Sequence, residues 1–169
     1  MVLTQNELIG ALQHEVNILQ HLCTKVEPSM LDYRPTPKQR STRELLEYLS
    51  VMGPVLVKSA LAGGFQQEEW VSRAQAASGM TFDQLVSALG THADEYKALL
   101  TNQPDEAFRK EVALFGGTYP SVGSFIVSLV LGGAAAYRTQ LFCYLKSCGR
   151  DELGTMNLWG GMDAPAAQA

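Results

Sequence analysis

His92, Tyr48, Tyr137 and Gln140 are the side chains best placed by type and spacing to do chemistry in this chain. An imidazole on a buried helical stripe must be neutral or paired, and beside a phenol it could serve as base to the phenol's acid. The plainer use of the same residues is a core histidine hydrogen-bonded to a tyrosine or a carbonyl, with buried phenols and an amide satisfying one another. Tyr137 and Gln140 follow the run GGAAA at 132–136. Small residues in a core helix either let backbones approach closely or leave space. Tyr48, His92, Gly133, Tyr137 and Gln140 are therefore read both as the filling of a hole and as the lining of a ligand cavity.

Other chemistries find weaker support. His14 and His21 lie seven residues apart and share a face of the first helix, so with His92 they offer three imidazoles. Two helical turns span about 10 Å, however, and a single ion would need a third helix placed to suit. Glu15 and Glu47 read as surface or rim charges, because nothing fixes their separation. Arg34 is a candidate partner for a carboxylate, and Arg43 reads as solvated. No glycine-rich phosphate loop, nucleophile elbow or Ser/His/Asp order occurs. Cys23, Cys143 and Cys148 read as small hydrophobes, with Cys148, near a helix end, the one to test for reactivity.

Composition narrows the field. With 169 residues the chain fits one domain, read as residues 1–150, that buries roughly two-thirds of its unfolded surface without metal or disulfide. Hydrophobic residues make up 46%, charged residues 18%, and the net charge is −4. That balance gives no electrostatic reason to expect nucleic acid or an anionic membrane as partner. The odd cysteine count without CxxC spacing, and an N-terminus lacking basic and apolar leader regions, point to the cytoplasm. The uncharged helical stretch from Val122 to Tyr137 is short of the ~20 residues a bilayer needs and reads as a core helix.

The elements that must position these residues announce their own starts. TQNE at Thr4–Glu7, STRE at Ser41–Glu44 and TFDQ at Thr81–Gln84 are capping boxes, and Ser121 after Pro120 is a fourth start. Apolar periodicity predicts helices over about 5–26, 42–62, 82–102 and 121–148. Tyr48 falls on the seam of the second and His92 on the buried stripe of the third. Pro54 removes a backbone donor and crowds the carbonyl of Ser50, which predicts a kink. A short helix is expected near Trp70, and brief extended pairing between 102 and 120. Residues 151–169 read mostly as tail, with Leu158 and Trp159 as candidates to dock. The fold class is all-α, a four-helix bundle with long crossover connections.

Two stretches, LDYRPTPKQRSTRELLEYLS and GTYPSVGSFIVSLVLGGAAAYRTQLFCYL, together resemble the DinB/YfiT-like four-helix-bundle family. That family's first signature is a Pro-containing loop, a Ser-started helix and a histidine seven residues after the Ser. Its second is H-x-x-x-H followed by a Gln-Leu pair near the end of the last long helix. The resemblance implies a divalent metal on three histidines in typical members, and thiol-dependent transferase or isomerase activity in some, including those using mycothiol or bacillithiol. It also implies a homodimer.

At the matching positions this chain carries Tyr48, Gly133 and Tyr137, with Gln140 and Leu141 kept. Neutral phenols are poor substitutes for imidazole toward zinc, nickel or iron. The expectation is therefore no metal and no cofactor, with Tyr48 and Tyr137 leaning into the space above Gly133. Their hydroxyls would pair with each other, with Gln140, with His92 or with water. The leading functional expectation is a module that binds a small apolar or amphipathic ligand or a partner. The alternative is an enzyme with a modified pocket around Tyr48, Tyr137 and His92.

Overall fold

The helix starts fold as their side chains dictate. In the computed structural model, which describes residues 3–165, α1 (Gln5–Cys23), α2 (Thr42–Ala62) and α4 (Phe82–Leu100) each begin at a closed capping box, on Thr4, Ser41 and Thr81. The backbone N–H groups at Thr4 and Ser41 donate to Glu7 and Glu44, holding both carboxyls below the usual carboxylate range. Ser121 opens α6 (Val122–Ser147), with Ser124 in the reciprocal role. Between α2 and α4 lies α3 (Gln67–Ser78). Between α4 and α6 come α5 (Asp105–Arg109) and a two-stranded hairpin, β1 (Val112–Leu114) with β2 (Gly117–Tyr119), in the register Val112–Tyr119.

Around the bundle the long helices stand in the order α1, α4, α2, α6, each packing on its neighbours. Helices α1 and α2 are diagonal partners, as are α4 and α6, so residues 24–41 and the α5–hairpin segment must cross the bundle ends. This is the expected all-α four-helix bundle with long crossovers. The core has two lobes, one around Leu22, Leu45, Leu85, Leu141 and Leu145, the other around Leu12, Val57, Leu100, Phe125 and Ile126. Trp70 and Tyr137 touch both lobes.

Pro54 sits inside α2, where it leaves the Ser50 carbonyl without its helical donor. His92 supplies the missing bond: its Nε2–H donates to Ser50 O at 2.9 Å. One turn further along α4, the Tyr96 hydroxyl occupies the place of a side chain at Gly53, where an added Cβ would stand 1.8 Å from the phenolic oxygen. Gly53 and Pro54 on α2 thus mate with His92 and Tyr96 on α4.

Helix α6 contains one π-helical segment, Ile126–Leu131, that the periodicity of the sequence does not predict. Part of the segment read as mostly tail is anchored on the bundle, and its last four residues, 166–169, lie outside the described residues. Leu153 and Asn157 are buried, and a single π turn, α7 (Met156–Gly160), seats on α1. Asn157 donates to His21 Nε2 at 3.0 Å and to Asp163 at 2.8 Å, while Lys25 pairs with Asp163 at 2.7 Å. Gly161, with φ +62°, lies so close that a Cβ would be 3.1 Å from Ile18 Cα.

Glu15 is not a rim charge. It is 8% exposed and faces Arg138, 3% exposed, with Oε2 and Nε 3.0 Å apart. Arg138 also donates to the Leu158 carbonyl and lies under the Trp159 indole, 5.0 Å from the ring centroid. His14 Nε2 donates to Trp159 O at 3.0 Å. Burial raises the Glu15 carboxyl above its ordinary range, and Arg138 acts in the opposite direction.

Candidate ligand cavity

Two rows of side chains at helical spacing meet between the adjacent helices α2 and α6. From α2 come Tyr48, Met52 and Leu56; from α6 come Leu129, Gly133 and Tyr137. Residues four apart on a helix share a face, so each row is one stripe two turns long. The rows open onto a cavity of about 410 Å³, closed on the far side by Trp70 of α3, Phe65 of the α2–α3 turn and Phe115 at the hairpin tip.

The rings form a continuous wall. Tyr137 meets Tyr48 at 5.1 Å between centroids, Tyr48 meets Trp70 at 5.8 Å, Trp70 meets Phe65 at 5.6 Å, and Phe65 meets Phe115 at 5.2 Å. Such tilted and edge-on contacts are the favoured geometry for aromatic pairs. Phe115 has φ +55° and remains 59% exposed. A non-glycine residue held in the left-handed region costs free energy that its contact with Phe65 helps to offset.

Gly133 does leave room, but the room is used differently from the expectation. The atom nearest a Cβ there is the Met52 methyl, at 3.3 Å, so a methionine rather than a phenol covers the glycine. Tyr48 and Tyr137 pack against each other beside it and leave the cavity open. The π turn in α6 includes Leu129 in this row, and π turns of this kind widen a helix locally.

His92 and Gln140 stand apart from this group. His92 is bound to the Ser50 carbonyl and lines a separate void of about 10 Å³ together with Glu15, Gly53 and Tyr96. Burial lowers the His92 pKa, which keeps the ring neutral, while the bond to Ser50 and the charge of Glu95 act in the opposite direction. Gln140 donates to the Tyr144 hydroxyl, which donates to the Arg40 carbonyl at 3.0 Å. It therefore ties α6 to the loop before α2. Trp70, Phe65, Phe115, Met52, Leu56 and Leu129 are cavity residues that sequence reasoning missed. Phe65 and Phe115 lie in turns, where no periodicity marks a buried face.

The Tyr48 phenol is pushed up to about 12, by burial first and then by the adjoining Tyr137 phenol, against a smaller effect of Arg40. The Arg40 guanidinium lies over the Tyr48 ring, 4.1 Å from its centroid. Among the described residues no group of three or more His, Cys, Asp or Glu side chains could hold a metal ion. His14 and His21 are engaged by the C-terminal segment, on the Trp159 carbonyl and Asn157, and do not converge with His92. Two phenols and a glycine are an equally poor donor set, so the residues at this site do not fit a divalent transition metal. Arg34 pairs with Glu44 at 3.2 Å, and Arg43, expected to be solvated, pairs with Glu47 at 3.0 Å. Burial raises the Cys148 thiol, which removes the reason to single it out as reactive.

No family model matches this sequence, and no curated protein matches it. Solved structures do. A putative member of the DinB family from Exiguobacterium sibiricum superposes with a TM-score of 0.67 at 22% identity, covering 91% of this chain and 99% of that one. A DinB-like protein, YjoA, from Bacillus subtilis superposes with a TM-score of 0.66 at 17% identity, covering 87% of this chain and 94% of that one. The chain has the all-α, DinB-like fold of these proteins.

Proposed function

We infer that this protein is a divergent DinB-like bundle that binds one small apolar or amphipathic molecule between α2 and α6. The observation that carries the reading is the pair of facing rows, Tyr48–Met52–Leu56 and Leu129–Gly133–Tyr137, opening onto about 410 Å³ with an aromatic wall behind them. Mostly apolar concavities of a few hundred Å³ with a few polar atoms are the usual form of small-molecule sites. In this reading Tyr48, Gly133 and Tyr137 stand where the family resemblance implies metal-binding histidines, and the site works without a metal. His92, bound to the Ser50 carbonyl and lining a different void, supports a binding reading over an acid–base enzyme using Tyr48, Tyr137 and His92. A homodimer in the cytoplasm remains part of the proposal, on the strength of the resemblance and of the sequence composition.

Tryptophan fluorescence tests the cavity directly. In a Trp159→Phe background Trp70 is the remaining indole, and the uncharged probe N-phenyl-1-naphthylamine should quench it with saturable binding. Gly133→Leu, folded as judged by circular dichroism, should abolish the binding by filling the space beside Met52. A probe that does not saturate, or that binds the variant equally well, rejects the site.

A further inference from the structure

We propose that the molecule held in this cavity is a hydrophobic monocarboxylate, its apolar body among the rings and its head against Arg40. This deepens the ligand-binding reading and rests on it.

An aromatic box by itself would suit a cation, since ring faces attract positive charge. Here that attraction is already used: a guanidinium stands 4.1 Å from the Tyr48 centroid. Among the described residues no carboxylate forms a salt bridge with Arg40, although its charge reaches Glu44, whereas its neighbours Arg34 and Arg43 are bridged directly to Glu44 and Glu47. On the other side of the cavity, the acid next to Trp70 is matched as well, Glu69 by Lys58 and Arg73. One guanidinium without a salt bridge is left beside a cavity with no charged side chain in its lining among the described residues.

The phenols point the same way. The Tyr48 hydroxyl meets the Tyr137 phenol, giving the lining one polar edge, and the Arg40 guanidinium over the same Tyr48 ring supplies the positive charge that favours an anionic head group. Because Arg40 is exposed and not part of the lining, the head group sits at the mouth and the apolar body inside.

Calorimetric titration with octanoate, 1-octanol and octyltrimethylammonium, at low salt and below micelle formation, separates the possibilities. Octanoate should bind about fivefold more tightly than octanol, the scale of one solvent-facing ion pair, and the ammonium most weakly. Arg40→Gln should remove the octanoate preference and leave octanol unchanged. Equal binding of all three, tightest binding of the ammonium, or a preference that survives Arg40→Gln overturns the carboxylate assignment while leaving the cavity reading intact. Failure of all three to bind, or binding undiminished in Gly133→Leu, overturns the cavity reading itself.

Discussion

His92 donates to the backbone carbonyl of Ser50 at 2.9 Å, and that carbonyl is available because Pro54, four residues on, has no N–H to offer it. The proline and the histidine therefore act as one unit. His92→Leu should orphan a buried carbonyl and cost about 1–3 kcal/mol in urea unfolding. His92→Gln, which keeps a donor, should cost less. In the Pro54→Ala background the helix restores its own bond, and the effect of His92→Leu should shrink; additive losses in this cycle would show that the two residues are not coupled.

The same histidine fixes a pH dependence. Its folded pKa lies below the unfolded value of about 6.5, so the unfolded chain binds the extra proton. Stability is full above that unfolded value and is lost as pH falls from it toward the folded pKa. His21, also lowered by burial, contributes in the same direction. Unfolding free energies measured from pH 7.5 to 5 should fall across the acidic part of that range, and the fall should be shallower in His92→Gln.

Gly53 is required by Tyr96. A Cβ 1.8 Å from the phenolic oxygen forces the buried Tyr96 ring to move in a packed core, so Gly53→Ala should destabilise by about 1–3 kcal/mol despite its better helix propensity. Adding Tyr96→Phe removes the clashing oxygen and should recover part of the loss. Denaturant midpoints of the single and double variants check this.

The Glu15–Arg138 pair joins α1 to α6 beneath α7. Arg138→Met leaves a buried carboxyl unmatched and should cost about 3–5 kcal/mol, whereas Glu15→Leu with Arg138→Met should regain most of it. Thermal unfolding of the single and the double variant distinguishes a structural ion pair from one that contributes nothing.

If Tyr48, Gly133 and Tyr137 occupy the three metal-ligand positions implied by the family resemblance, replacing all three by histidine should create zinc or nickel affinity. The triple variant should gain thermal stability on adding metal, while the parent protein should gain none. A folded triple variant without metal affinity would show that the positions do not correspond.

Local signals in the sequence are legible, because each acts within a turn or two of helix. The capping boxes gave the starts of α1, α2 and α4, and Ser121 that of α6. Periodicity placed Tyr48 and His92 on inward stripes, and Pro54 marked the carbonyl that needed an outside donor. Helix ends are less legible: α1 stops at Cys23 rather than near residue 26, since the chain must turn to cross the bundle. The π turn at Ile126–Leu131 was invisible, because a run of Ile, Val, Ser and Leu has the same composition in an α or a π turn.

The sequence by itself determined the all-α class, the four long helices, the crossover connections and the stripe on which each candidate residue lies. It could not say which stripes would meet, because that depends on contacts between residues far apart in the chain. Tertiary structure put His92 on Ser50 rather than beside Tyr137, set Met52 over Gly133, buried Glu15 against Arg138 and bolted residues 153–163 to α1. It also brought Phe65 and Phe115 from two turns to complete the cavity wall. The physical reason is that helix formation is decided by neighbours along the chain, whereas a cavity is the space left where separate elements fail to fill one another.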